Sequence, residues 1–260
     1  MKLKNDAISV FNNKTEGSST LLIKLNHLIK SDFKNKKYIA LLIKESRVHF
    51  NSFAVVLNYL DELEKGISNG KAFPDIIKNI EDHDKNVNLR LFENSRKYFR
   101  NVSTVLTISN SQTILTFLRQ FHSINKKLNV IIAESRPKNE GKILAKRLLK
   151  EGISVGFITD FSTASYLPLI DAAVIGADKI LSTGNVINKT GSRTLAILCR
   201  YYNKPFYVLT SRGKQVYDKK YIPEQKDPSE VWNYSTKNLT IKNSYFEEVE
   251  SDLITKIITD

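Results

Sequence analysis

Apolar positions follow one rhythm in the first hundred residues and another after them. Ser18, Ser19 and Thr20 lead into Leu21, Leu22, Ile23, Leu25, Leu28 and Ile29, a Ser/Thr start signal followed by helical spacing. Residues 38–63 continue with Ile39, Leu42, Ile43, Phe50, Phe53, Val56, Leu57 and Leu60, and read as one more helical stretch ending near Gly66. Residues 72–100 follow, with Pro74 near their start. No strand alternation is evident here, so residues 1–100 are expected to form a helical domain. From residue 101, short apolar runs at 102–108, 129–133, 154–158, 172–175 and 205–209 alternate with helical segments near 111–122, 141–151, 162–168 and 192–202. That alternation predicts βαβ units and a parallel sheet buried on both faces. The fold class expected is α/β: an N-terminal helical domain, then a Rossmann-like parallel-sheet domain over 101–260. Residues 211–250 are polar and give no clear pattern. Residues 253–258 read either as a last strand or as a docking helix.

In an open parallel sheet, ligands bind beyond the carboxyl ends of the strands. Polar residues follow every predicted strand there: Ser109, Asn110 and Ser111; Glu134, Ser135 and Arg136; Thr159 and Asp160; Gly176, Ala177 and Asp178; Thr210, Ser211 and, slightly later, Lys214. This edge is where a small polar ligand is expected. Asp178 at a strand end can serve as a general acid or base; it can also cap a helix or pair with Lys179. Arg136 can clamp a phosphate through its planar fork, or pair with Glu134 or Glu140. Gly191 and Ser192 stand where a helix begins, just after Lys189. That is either an anion site, through free N–H groups and the helix dipole, or an ordinary Ser-capped start.

Composition removes several classes. Of 260 residues, 41% are hydrophobic and 26% charged, a globular balance. The longest apolar runs fall far short of the ~20 residues of a membrane span. The first residues lack the apolar stretch of a secretory signal. The single cysteine, Cys199, excludes an internal disulfide and an all-cysteine zinc site, and the expected location is the cytosol. His27, His49, His83 and His122 are scattered, with no metal-ligand spacing. There is no G-x-G-x-x-G after a strand and no P-loop, so no cofactor is expected. The net charge is +13. It is spread over the chain without a tail or stripe, so it favours anionic partners in general, RNA among them, and selects none.

The sequence resembles a known superfamily. Ala133-Glu134-Ser135-Arg136-Pro137, Glu140-Gly141, Val174 to Leu181 with its Gly176-Ala177-Asp178, and Asn185 to Gly191 are similar, in order, to the initiation factor 2B α/β/δ subunits. That superfamily also holds isomerases of methylthioribose-1-phosphate and ribose-1,5-bisphosphate. Lys226 to Trp232 and Asn243 to Glu247 look like the tail of its archaeal-type members. The resemblance covers roughly residues 15–260. It implies a helical N-terminal domain, a Rossmann-like C-terminal domain and a homodimer built through the latter.

In the isomerases a cysteine after the first sheet strand and the aspartate of Gly-Ala-Asp act as an acid/base pair. Asp178 matches the aspartate, but the cysteine position reads Thr107-Ile108-Ser109-Asn110. A thiol has a pKa of ~8.5 and is readily tuned, whereas a serine needs a neighbouring base. The isomerases' Arg-Gly-Ala phosphate turn is replaced by Glu16-Gly17-Ser18-Ser19, and Thr15 to Ser19 resembles the factor subunits' turn instead. His49 to Phe53 also resembles the factor subunits. These departures lead to the expectation of a non-catalytic regulatory subunit of the initiation-factor-2B type. It would bind a phosphorylated small molecule through Gly17, Ser18, Ser19, Arg136, Asn188, Lys189 and Lys214, with Ser109 and Asp178 lining the pocket. Its possible macromolecular partner is the initiation factor 2 α subunit. The alternative is an aldose–ketose isomerase acting on a pentose phosphate, with Asp178 catalytic. A third reading is a generic RNA- or protein-binding module.

Overall fold

A computed structural model describes residues 2–13, 17–51 and 53–260. Five helices come first: α1 (Asn5–Phe11), α2 (Ser18–Asp32), α3 (Lys36–His49), α4 (Ala54–Ser68) and α5 (Phe73–Arg96). Residues 38–63 are therefore two helices, not one. The chain turns at Phe50, whose ring is 2% exposed against α1 and α2, with the Phe11 ring 5.5 Å away. No proline or glycine marks the turn, so the apolar spacing runs across it unbroken. α1 lies in a segment that gave no helical signal; packing of Ala7, Val10 and Phe11 on α2 and α3 holds it. Asn35 caps α3 by accepting the Tyr38 N–H at 3.1 Å, and Pro74 sits in the first turn of α5, where its missing N–H costs nothing.

The second part alternates as expected: β1 (Thr104–Ile108), α6 (Gln112–Ile124), β2 (Asn129–Ala133), α7 (Gly141–Leu149), β3 (Ser154–Ile158), the short α8 (Thr163–Tyr166), and β4 (Ala172–Ile175). β5 (Lys179–Ile180), β6 (Val186–Lys189), α9 (Ser192–Tyr201), β7 (Phe206–Leu209), β8 (Phe246–Val249) and β9 (Lys256–Ile258) complete it. Six strands form a parallel sheet in the order β3-β2-β1-β4-β7-β9. The closing segment is thus a strand, paired with β7. Successive side chains alternate between faces: Val105, Val130 and Ile132 pack under α5, α6 and α7, while Leu106, Ile131 and Ala133 pack towards α8 and α9. α5 joins the two parts, with Ile76 and Ile77 in the helical core and Leu91 in the sheet core. A small antiparallel sheet, β5-β6-β8, was not foreseen. β5 and β6 form a local hairpin, but β8 pairs with β6 across some sixty residues of sequence, and no local pattern announces that partner.

Strand order reverses between β1 and β4. Successive connections run outward to β2 and β3 on one side and to β7 and β9 on the other. The crevice at this switch point, beyond the carboxyl ends, is where such sheets bind ligands. Among the described residues, no helix is long and apolar enough to cross a membrane.

Candidate active site

Three parts of the chain close over the switch point. Ser109, Asn110, Ser111 and Gln112 follow β1; Gly176, Ala177 and Asp178 follow β4; the first turn of α2 brings Gly17, Ser18 and Ser19 from the helical part. Asn188 and Lys189 of β6 and Lys214 after β7 complete the lining. Gly176 is required by close approach: a Cβ there would lie 2.6 Å from the Ser111 Oγ. Ser111 in turn caps α6, accepting the Ile114 N–H at 3.4 Å.

Asp178 reaches across to the helical part, accepting the Ser18 hydroxyl at 3.1 Å, and its own N–H donates to the Ile187 carbonyl at 2.8 Å. Lys214 is 4% exposed and donates to the Ala177 carbonyl at 2.5 Å. Burial pushes its pKa below the ordinary lysine value, with the Asp178 charge working the other way. Gly17 offers no side chain to cap α2, and among the described residues no side chain caps the N–H groups of its first turn, which borders the cleft. An unshielded start of this kind favours an anion.

Ser109 is held in the left-handed region, φ 62°, as is Ser135, φ 64°, after β2. Non-glycine residues in that region cost energy and concentrate at functional sites. The Ser109 N–H donates to the Ser135 Oγ at 2.7 Å. Asp160 fixes the neighbouring loop, its two carboxylate oxygens accepting the N–H groups of Ser135 (2.8 Å) and Arg136 (2.7 Å). The Ser109 hydroxyl bonds to no base among the described residues, so nothing there activates it.

Lys189 is held from both sides. Its ammonium is 2.7 Å from Glu140, whose side chain is 4% exposed, and lies over the rings of Tyr245 and Phe246 at 5.0 and 4.8 Å. Tyr245 bonds to Glu230. Burial alone would raise the Glu230 pKa, but hydrogen bonds from Lys138, Tyr245 and Asn243 outweigh it and hold it down at about 2. Asn188 donates to Ser192 at 2.9 Å.

The sequence-derived site residues divide accordingly. Gly17, Ser18, Ser19, Ser109, Asp178, Asn188, Lys189 and Lys214 share one cleft. Arg136 stands outside it, exposed, on a second small cavity beside Lys189 and Tyr245, with its guanidinium bonded to the Val231 carbonyl at 3.2 Å. Glu16 and Thr15, whose identities weighed against an enzyme, lie outside the described residues, as does Ser52. The start of α9 already has its anion: the Glu247 carboxylate accepts the N–H groups of Gly191 (2.6 Å) and Arg193 (2.9 Å). Gly191 has φ 101°, which suits glycine. Glu140, Glu230, Tyr245 and Glu247 hold the site from behind. Sequence reading assigned them no part in it, because each acts across tens of residues. Among the described residues no three His, Cys, Asp or Glu side chains gather as a metal site requires.

Comparison with known proteins completes the picture. The ribose 1,5-bisphosphate isomerase of Methanocaldococcus jannaschii is 28% identical over 251 residues, covering 92% of this chain and 80% of that one. The methylthioribose-1-phosphate isomerase of Thermotoga petrophila is 32% identical over 198 residues, 68% of this chain and 57% of that one. The crystal structure of translation initiation factor eIF-2B from Pyrococcus horikoshii OT3 superposes with a TM-score of 0.80 at 23% identity, covering 99% of this chain and 96% of that one, and shows the shared fold. The expectation of a non-catalytic regulatory subunit is corrected here, since these sequence relatives are named as sugar-phosphate isomerases. It rested on Ser109, whose replacement of a thiol leaves the rest of the cleft assembled, and on a turn that includes Glu16. A match to the model of the initiation factor 2 subunit family runs from residue 13 to residue 260, and the chain belongs to that family.

Proposed function

We propose that this protein is a sugar-phosphate isomerase converting a phosphorylated aldopentose into the ketose. The observation that carries this reading is Asp178, a carboxylate at the switch point, held by Ser18 and flanked by Lys214 in a cleft that also contains the start of α2. Names of the sequence relatives point the same way.

Opening the sugar ring breaks the C1–O bond and places a proton on the ring oxygen. The hydrogen on C2 then passes with its electron pair, as hydride, to the electron-poor C1, and the C2 hydroxyl loses its proton to become the carbonyl. One group suffices for the protons: Asp178, once it has taken up a proton, gives it to the ring oxygen, takes one back from the C2 hydroxyl, and ends as it entered the cycle. Ser109 then needs no ionisation and serves as a hydrogen-bonding partner to the sugar. That role fits a hydroxyl with no base beside it. The first turn of α2 and the two lysines hold phosphate oxygens.

The cleft encloses about 30 Å³, room for about two water molecules. A pentose phosphate therefore enters only when the start of α2 withdraws from Asp178, to which Ser18 donates. A homodimer through residues 101–260 belongs to the same reading, supported by Phe157, Phe161 and Leu169, which stand exposed around the edge strand β3.

The test is a turnover assay of the purified chain with ribose-1,5-bisphosphate and with methylthioribose-1-phosphate, following the ketose by phosphorus NMR. Conversion of either supports the assignment; inertness towards both refutes it.

A further inference from the structure

The opposite edge of the sheet carries a feature that the cleft does not use. Where α5 ends and the chain turns towards β1, a groove of about 780 Å³ opens between residues 93–103 and the end of α6. Its size lies within the range of small-molecule sites. Arg96, Lys97 and Arg100 line it, and Glu93 is the single carboxylate among its lining residues.

The three cations differ in what already occupies them. Arg96 is 3.1 Å from Glu93, one turn back on the helix. The Lys97 ammonium lies 5.1 Å from the centre of the Tyr98 ring and makes no ion pair with a described residue. Arg100 is exposed and has neither an ion pair nor a hydrogen bond to any described residue. The main-chain N–H groups of Arg100 and Asn101 likewise find no carbonyl among the described residues. Lysine and arginine at the end of a helix complement its dipole, which accounts for Arg96 and Lys97. Arg100 lies beyond the last turn, where that effect has faded. A guanidinium fork with nothing to grip, beside two free N–H donors in a concavity, matches the oxygens of a phosphate.

We propose that this groove is a second anion site, taking a phosphorylated small molecule. It is distinct from the cleft: the five residues of β1 separate them, about 17 Å at the rise of a parallel strand. A concave site walled by Phe121 and Ile124 suits a compact ligand better than a nucleic-acid strand, which needs a track of cations along a surface.

Pyrophosphate is the probe, titrated by calorimetry into the full chain at fixed ionic strength. Three forms are compared: the native protein, the double variant Lys97→Glu/Arg100→Glu, and the cleft variant Lys189→Ala. Both changed residues of the double variant are on the surface, and circular dichroism checks that the fold is kept. The expected result is a binding event that survives Lys189→Ala and weakens roughly tenfold or more in the double variant. Equal pyrophosphate binding by the native protein and the double variant overturns the proposal. So does a 20-nucleotide RNA that binds the native protein, fails on the double variant, and is not displaced by pyrophosphate. None of these readouts depends on turnover, so the site stands or falls separately from the isomerase reading.

Discussion

Replacing Asp178 with asparagine separates the chemistry at the switch point from its architecture. The amide keeps an oxygen for the Ser18 hydroxyl, which donates at 3.1 Å, and leaves the 178 N–H on the Ile187 carbonyl. What disappears is the ability to exchange a proton, and the negative charge facing Lys214. General acid–base catalysis contributes roughly 10²–10⁴ in rate, about 3–5 kcal/mol of barrier. The variant is therefore expected to lose that much in kcat on ribose-1,5-bisphosphate, with kcat/KM falling as well. Stability responds separately. The Lys214 pKa is already below its ordinary value through burial, and Asp178 opposes that shift. The folded state thus releases the Lys214 proton before the unfolded chain does, so stability rises with pH between the folded pKa and 10.5. Without Asp178 the folded value drops further and the alkaline gain grows. Matched steady-state kinetics and thermal melts across neutral to alkaline pH read both effects. A folded Asp178→Asn variant that turns over within tenfold of the native protein would refute the assignment of Asp178 as the proton carrier.

Three other outcomes follow from the same structure. Ser109→Ala should cost about tenfold or less in kcat, since an unactivated hydroxyl moves no proton; a loss as large as that of Asp178→Asn would mean the serine titrates after all. Glu230, held down from 4.5 to about 2, stabilises the folded state fully above pH 4.5, and the contribution is lost as pH falls through about 2. Glu230→Gln should therefore be less stable at neutral pH and flatter between those limits in acid-unfolding curves; parallel curves for the two proteins would contradict it. The Cys199 thiol is fully buried and its pKa is pushed up to about 12, by burial despite nearby Lys204. It should resist a thiol reagent at pH 8 in the native protein and react at once in denaturant; fast labelling of the folded protein would count against that burial.

Much of this molecule was legible along the chain. Helical spacing at Leu21 to Ile29 and the runs at Thr104–Ile108 and Asn129–Ala133 follow from local periodicity, because each element must bury one face or two. The polar residues after each strand were also legible, since a sheet's carboxyl edge is set by chain direction alone. Tertiary structure decided the rest. It split residues 38–63 at Phe50, because a buried ring can turn a chain without glycine or proline. It laid β8 against the local β5–β6 hairpin from some sixty residues away. It gave the start of α9 to Glu247 and brought Glu140 and Tyr245 to Lys189, and it left Arg136 outside the cleft. A motif fixes which residues are present, whereas the charge they answer to comes from whatever distant segment folds against them. Ser109 shows the same limit: read alone it argues against catalysis, but in the fold it sits in one cleft with Asp178, two lysines and a helix start.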